Sequence, residues 1–215
     1  TMKKNFFLFF FISQIASAQT IESYLSAPFP TDLVASANGK TIAWVFNDKG
    51  SRNIFVAESP SFATKKITSY TGDDGMAITD VNFTPDGSQI IFVRGNAPNG
   101  RGEAANPAFL QTSTERVIWM VSKEDGNLRK IATGFGAEIS PDGKSLAYVA
   151  GGQVWLASLT DTSLKPYKLF QSRGNQAQLS FSPDGKQLAF VSGRGDHSFI
   201  GAYNFINKTV AYIET

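Results

Sequence analysis

Ser180-Phe181-Ser182-Pro183-Asp184-Gly185-Lys186-Gln187-Leu188-Ala189-Phe190-Val191 describes a hairpin in its residue types alone. Pro183 presets φ for the first central turn position, Asp184 accepts hydrogen bonds from nearby backbone, and Gly185 takes the left-handed conformation that closes a bulged hairpin. The strand that follows is apolar almost without interruption, so both of its faces must be covered. The unit recurs at Asn82-Phe83-Thr84-Pro85-Asp86-Gly87-Ser88-Gln89-Ile90-Ile91-Phe92-Val93 and at Glu138-Ile139-Ser140-Pro141-Asp142-Gly143-Lys144-Ser145-Leu146-Ala147-Tyr148-Val149. A degenerate copy lies at Val34-Ala35-Ser36-Ala37-Asn38-Gly39-Lys40-Thr41-Ile42-Ala43-Trp44-Val45.

The turn glycines fall at 39, 87, 143 and 185. Short-strand repeats of about 40 to 50 residues, with strands apolar on both faces, are what stacked propeller blades require. A third strand is expected near 53–57, 117–121, 154–157 and 199–203, and a more polar fourth near 66–68, 129–132, 167–170 and 209–213. The expected fold is all-β: a propeller of four-stranded antiparallel blades at about 30–72, 78–133, 134–174 and 175–215. No segment carries a helical period long enough for a Rossmann crossover, and Gly134-Phe135-Gly136 and Gly151-Gly152 lack the strand–loop–helix context of a phosphate site.

Composition narrows the chemistry. The 215 residues include no cysteine and one histidine, His197, which excludes disulfide scaffolds, thiolate metal sites, cysteine nucleophiles and any centre of several imidazoles. The net charge is +2, from 20 basic and 18 acidic residues, and gives no reason to expect nucleic acid. Met2-Lys3-Lys4-Asn5, the apolar run from Phe6 to Ile12 and Ala16-Ser17-Ala18 have the three parts of a secretory signal peptide. Residues 1–18 are therefore expected to be an export signal, with the body of the protein periplasmic or secreted and no stable membrane span.

In a meandering blade the turns between strands one and two, and three and four, lie at one end. The remaining connections lie at the other. All the Pro-Asp-Gly turns share one face and are short, so function is expected opposite, on Asn47–Arg52, Thr71–Ala77, the insertion Arg94–Arg116 and Gly193–Ser198.

The repeats resemble those of TolB-like proteins and of the N-terminal propeller of the prolyl oligopeptidase family of serine peptidases. Three segments look more like exported bacterial dipeptidyl- and acylaminoacyl-peptidase-like members. They are Tyr70-Thr71-Gly72-Asp73-Asp74-Gly75; Val93-Arg94-Gly95 with Arg101-Gly102-Glu103 and Asn106-Pro107; and Gly193-Arg194-Gly195-Asp196-His197-Ser198-Phe199-Ile200. The resemblance implies a seven- or eight-bladed propeller, of which about four blades are present, restricting access to an α/β-hydrolase domain. That domain would be this chain's partner, with peptide as the parent protein's substrate. The chain has no Gly-x-Ser-x-Gly elbow and reaches Thr215 on what reads as the last strand of a fourth blade. It therefore reads as a non-catalytic portion of a propeller, with free blade faces prone to self-association. The alternative is a TolB-like propeller that binds other proteins; a four-bladed sugar- or ion-binding module has no residue-level support.

The substrate- or partner-facing candidates are Arg94, Arg101, Glu103, Asn106, Arg194, Asp196 and His197. Arg and Glu in such a patch can hold a peptide terminus through charge-assisted hydrogen bonds. No catalytic residue, metal or cofactor is assigned. Asp196 and His197, as sequence neighbours, are expected to point apart. Asp73-Asp74 lacks the spacing of a calcium loop and is expected to be a solvated turn. Arg194-Gly195-Asp196 matches the adhesion tripeptide only as such tripeptides recur by chance.

Overall fold

A computed structural model describes residue 21 and residues 27–107, 109–111 and 114–213. The export signal expected at 1–18 lies outside the described residues. Among the described residues sixteen strands form four antiparallel sheets, each in sequence order. Blade 1 comprises β1 (Phe29–Ala35), β2 (Thr41–Asp48), β3 (Ser51–Glu58) and β4 (Ala63–Lys66). Blade 2 comprises β5 (Ile78–Phe83), β6 (Gln89–Arg94), β7 (Val117–Ser122) and β8 (Leu128–Thr133). Blade 3 comprises β9 (Phe135–Ile139), β10 (Ser145–Ala150), β11 (Gln153–Ser158) and β12 (Tyr167–Lys168). Blade 4 comprises β13 (Asn175–Phe181), β14 (Gln187–Gly193), β15 (Ser198–Asn204) and β16 (Thr209–Tyr212).

The repeated turn closes by one hydrogen-bond scheme. The turn-glycine amide donates to the carbonyl of Ser36, Thr84, Ser140 or Ser182, each at 2.8 Å. The hydroxyl of that same residue donates to the turn carboxylate, as Thr84 to Asp86 at 2.6 Å, Ser140 to Asp142 at 2.6 Å and Ser182 to Asp184 at 2.7 Å. In the degenerate copy the Asn38 amide oxygen takes the carboxylate's place at 2.8 Å. Each hydroxyl also accepts the first amide of the next strand, for example Gln187 N–H to Ser182 Oγ at 2.9 Å. These reciprocal bonds satisfy polar groups that a short turn leaves orphaned.

The first strands β1, β5, β9 and β13 pack on one another in turn and surround the axis. Each carries an irregularity with one residue in the left-handed region: Asp32 (φ 53°), Asp80 (φ 55°), Gly136 (φ 60°) and Gln178 (φ 50°). Each stands seven residues before its turn glycine. Such bulges bend the inner strand and increase its twist.

The second strands form the cores. Ile90, Ile91, Phe92 and Val93 are at most 1% exposed, because one face meets the preceding blade and the other the following blade. Three apolar clusters result, joining blades 1 and 2, 2 and 3, and 3 and 4. No core cluster among the described residues joins blade 4 back to blade 1, so the blades form an open arc. No helix of the described residues is long and apolar enough to cross a membrane.

The connection expected to be long at Asn47–Arg52 is instead a two-residue turn. Lys49 and Gly50 both have positive φ (50° and 89°), and the paired ladder runs to Asp48 opposite Ser51. The Lys-Gly pair makes the tight hairpin whose twist matches the strands it joins.

Candidate functional site

At the end of the arc opposite the Pro-Asp-Gly turns, the connection between blades 1 and 2 meets the insertion of blade 2. Arg94, the last residue of β6, pairs with the Asp74 carboxylate and lays its guanidinium 4.1 Å from the centre of the Tyr70 ring. Burial raises the Asp74 carboxyl, but the Met76 amide and Arg94 outweigh it and hold it below its ordinary value. Burial pushes the Tyr70 phenol up. One turn back, Arg52 bonds Asp73 at 3.3 Å. Asp73 stays largely solvated, as expected of this turn, whereas Asp74 is half-buried against Arg94 and departs from that expectation.

The insertion is pinned to this turn at three points. Asn96 Oδ1 accepts the Ala77 amide at 2.8 Å and its Nδ2 donates to the Gly75 carbonyl at 2.9 Å, as a β-bridge would. The Gly95 amide donates to the Ala77 carbonyl at 3.0 Å. Pro107 sits against Gly75, where an added Cβ would lie 2.4 Å from the Pro107 Cβ. Within the insertion, Asn99 holds the amides of Arg101 and Glu103 and donates to the Glu103 carboxylate at 2.7 Å. Asn106 bonds both the amide and the carbonyl of Leu110. Thr114 donates to the Ala105 carbonyl. These bonds link described residues of the insertion and leave Arg101, Glu103 and Phe109 exposed, the last 94% exposed.

The third singled-out segment lies on blade 4, with blade 3 between. Arg194 follows β14, donates to Ser192 Oγ at 3.2 Å and to the Tyr212 hydroxyl at 3.2 Å, and lies 5.5 and 5.6 Å from the Phe199 and Tyr212 ring centres. Burial pushes the Tyr212 phenol up, but hydrogen bonds from Ser172 and Ser192 and the Arg194 charge hold it below its ordinary value. His197 Nδ1 lies 2.7 Å from Asp196 Oδ1, which corrects the expectation that these neighbours point apart. The His197 ring also stands edge-on to Phe199 at 5.1 Å. Both side chains are more than half exposed.

The structure thus joins two of the three segments and keeps the third apart. Arg94 takes Asp74, rather than Glu103, as its carboxylate. Tyr70 was visible only as part of a motif, whereas Ser172 and Tyr212 carried no sequence signal because their role depends on strand register across blade 4. No group of three metal-ligating side chains occurs among the described residues. Glu138, on an inner strand, is raised by burial, with the Phe181 amide opposing.

These features define a β-propeller module of four-stranded blades. No family model and no curated protein matches the sequence. Among solved structures, TolB from Acinetobacter baumannii superposes with a TM-score of 0.60 at 19% identity, over 86% of this chain and 43% of that one. A prolyl endopeptidase, from a study of two such enzymes, gives 0.63 at 16% identity, over 88% of this chain and 30% of that one. The β-propeller domain of the Trilobed protease from Pyrococcus furiosus, described as having an open velcro topology, gives 0.55 at 14% identity, over 87% and 57%. The fold is therefore that of the TolB and prolyl-peptidase propellers whose repeats the sequence resembles. The chain spans 43% of the Acinetobacter TolB and 62% of a TolB structure from Agrobacterium tumefaciens.

Proposed function

We propose that this chain is the substrate-gating propeller portion of an exported prolyl-oligopeptidase-like serine peptidase and performs no acyl transfer itself. The observation that carries this reading is that described residues of the insertion after β6 are pinned through Asn96, Pro107 and Arg94 onto the 70–77 turn. Two segments that look peptidase-like separately thereby meet at the loop end of the arc. A rigid scaffold presenting such loops can restrict what reaches an adjoining active site. The α/β-hydrolase domain and the peptide substrate belong to the parent protein, and the segment Met2–Ala18 supports its export.

The test uses antibody raised against this chain to capture the protein from its source cells, followed by a fluorophosphonate probe for activated serine. Labelling of a captured species substantially heavier than 23.3 kDa is expected. An unlabelled species of the chain's own mass overturns the reading. The second reading is a TolB-like periplasmic module that binds proteins through one face, supported by the 19% identity to the Acinetobacter TolB. It predicts an unlabelled, cooperatively folding protein that recovers one specific partner.

A further inference from the structure

The sequence contains two Asn-Gly pairs, Asn38-Gly39 and Asn99-Gly100. Such a pair carries its own chemistry. The glycine amide nitrogen can attack the neighbouring side-chain carbonyl carbon and close a five-membered ring, and holding nucleophile and carbonyl side by side favours that step. All four residues are exposed, and a Cβ at either glycine would meet nothing within 4 Å. Solvent access and crowding therefore do not distinguish the two pairs. Hydrogen bonding does.

At the first pair the nucleophile is engaged. The Gly39 amide donates to the Ser36 carbonyl at 2.8 Å in the repeat-turn scheme, while Asn38 Oδ1 accepts the Ser36 hydroxyl at 2.8 Å and the Lys40 amide at 3.0 Å. Attack by the Gly39 nitrogen would break the bond that closes this turn. At the second pair the Gly100 amide donates to no acceptor among the described residues. Asn99 Oδ1 instead accepts two backbone amides, from Arg101 at 2.9 Å and Glu103 at 3.0 Å. Two N–H donors on a carbonyl oxygen stabilise the oxyanion that forms when a nucleophile adds to its carbon. Asn99 Nδ2, the nitrogen that would leave, donates to the Glu103 carboxylate at 2.7 Å. The main chain holds the arrangement together: the Asn99 amide donates to the Glu103 carbonyl at 3.0 Å, and the Gly102 amide to the Asn99 carbonyl at 2.9 Å.

We propose that Asn99 is a site of spontaneous covalent modification, converted to aspartate and isoaspartate through a cyclic imide formed with the Gly100 nitrogen, while Asn38 is protected by its turn. The Gly100 nitrogen gives its proton to water and bonds Asn99 Cγ. The Cγ–Nδ2 bond then breaks, and the nitrogen leaves as ammonia with a proton taken from water. A second water opens the imide at either carbonyl, giving aspartate or isoaspartate, and no oxidant or reductant takes part. Either product exchanges the Nδ2 bond to Glu103 for a second carboxylate beside it, so an attraction becomes a repulsion between like charges. Isoaspartate also adds a carbon to the main chain inside the turn that the Gly102 amide closes. The insertion therefore changes charge and shape with age, whether or not the chain belongs to a peptidase.

The native chain is incubated at neutral pH, folded or unfolded in urea, and both sites are followed in the same digest by mass spectrometry, with isoaspartate counted by protein isoaspartyl methyltransferase. In the folded chain Asn99 is expected to convert about five- to tenfold faster than Asn38, the equivalent of the turn hydrogen bond that Gly39 must give up. In urea the two sites are expected to convert at similar rates, because the pair is chemically the same and the turn is gone. Conversion at Asn99 no faster than at Asn38 in the folded chain overturns the proposal. The same difference persisting in urea also overturns it, since the selectivity would then belong to neighbouring sequence and not to the hydrogen bonds of the fold.

Discussion

Gly75 and Pro107 touch across 32 positions of sequence, with no room for a side chain between them. A Cβ on Gly75 would stand 2.4 Å from the Pro107 Cβ, and the backbone there has φ +66°, where L side chains are strained. Gly75→Ala is therefore expected to lift the insertion from the turn. Its effect on global stability is about 1 to 2 kcal/mol, because the strain is local and the loop can yield. Limited proteolysis reads it: trypsin cleavage after exposed Arg101 accelerates several-fold, while cleavage in the blades is unchanged. Equal rates in the variant and the native chain would show that the contact does not hold the insertion.

The Arg94–Asp74 pair is the second anchor. Arg94 is four-fifths buried and Asp74 39% exposed, so water screens the carboxylate but not the guanidinium. Asp74→Asn leaves Arg94 with a weaker acceptor and is expected to cost about 1 to 2 kcal/mol, less than for a fully buried pair. Arg94→Met is expected to cost a similar amount because it also removes the stacking on Tyr70. A double-mutant cycle by denaturant unfolding checks both: the double variant should lose less than the sum of the single variants. Additive losses would mean the pair is not coupled.

The propeller was legible because its repeat combines a turn code with a two-faced strand, and both are properties of local residue type. Thr84-Pro85-Asp86-Gly87 and Ile90–Val93 state the hairpin and its burial within ten positions. The site was legible only as fragments. Arg94 and Asp74 are 20 positions apart, and their meeting depends on how the linker after β4 returns across the sheet. Asp74 beside Asp73 therefore read as a solvated pair. Lys49-Gly50 read as part of a long loop because its two positive-φ positions are not the more familiar Asn-Gly. The inner-strand bulge was hidden because Asp32, Asp80, Gly136 and Gln178 share a conformation but not a single side-chain type.

Acid should loosen the repeat turns. Asp184 is held down to about 2 by the Ser182 hydroxyl, the Lys186 amide and the Lys186 charge, and Asp86 and Asp142 are lowered by their own hydroxyl and amide donors. A folded-state pKa below the unfolded one stabilises the fold above the unfolded value, and that stability is lost as pH falls through the folded value. The window for Asp184 is therefore from about 4 down to about 2. Urea midpoints across this range should fall with decreasing pH, and Asp184→Asn should flatten part of the slope. An unchanged slope would remove the carboxylates from the acid response.

Gly201 lies under the Phe190 ring, and a Cβ there would stand 2.4 to 3.0 Å from three ring carbons. Phe190 is 1% exposed and packs on Phe170 at 4.9 Å, so it has little freedom to move. Gly201→Ala is expected to destabilise by about 1 to 3 kcal/mol through overpacking, although alanine is the better strand former. Calorimetry should show a lower Tm. A neutral result would mean that the blade 3–blade 4 contact is loose enough to absorb a methyl group.

Asp80 tests whether the inner-strand bulge is a structural requirement of the repeat. Its φ of 55° is tolerable for aspartate and free of cost for glycine, while its Oδ2 accepts the Gly136 amide at 3.0 Å and so ties blade 2 to blade 3. Two substitutions separate the terms. Asp80→Gly keeps the backbone conformation and loses the hydrogen bond, at about 1 kcal/mol for an exposed acceptor. Asp80→Val loses the bond and forces a β-branched residue into the left-handed region, adding about 1 to 3 kcal/mol. The valine variant should therefore unfold at lower urea than the glycine variant, by more than the glycine variant differs from the native chain. The same order is expected at Gln178, which occupies the equivalent position in blade 4 without that bond. If valine and glycine are equivalent at both positions, the bulge is a consequence of strand packing that any residue can follow, and the seven-residue spacing to the turn glycine carries no structural demand.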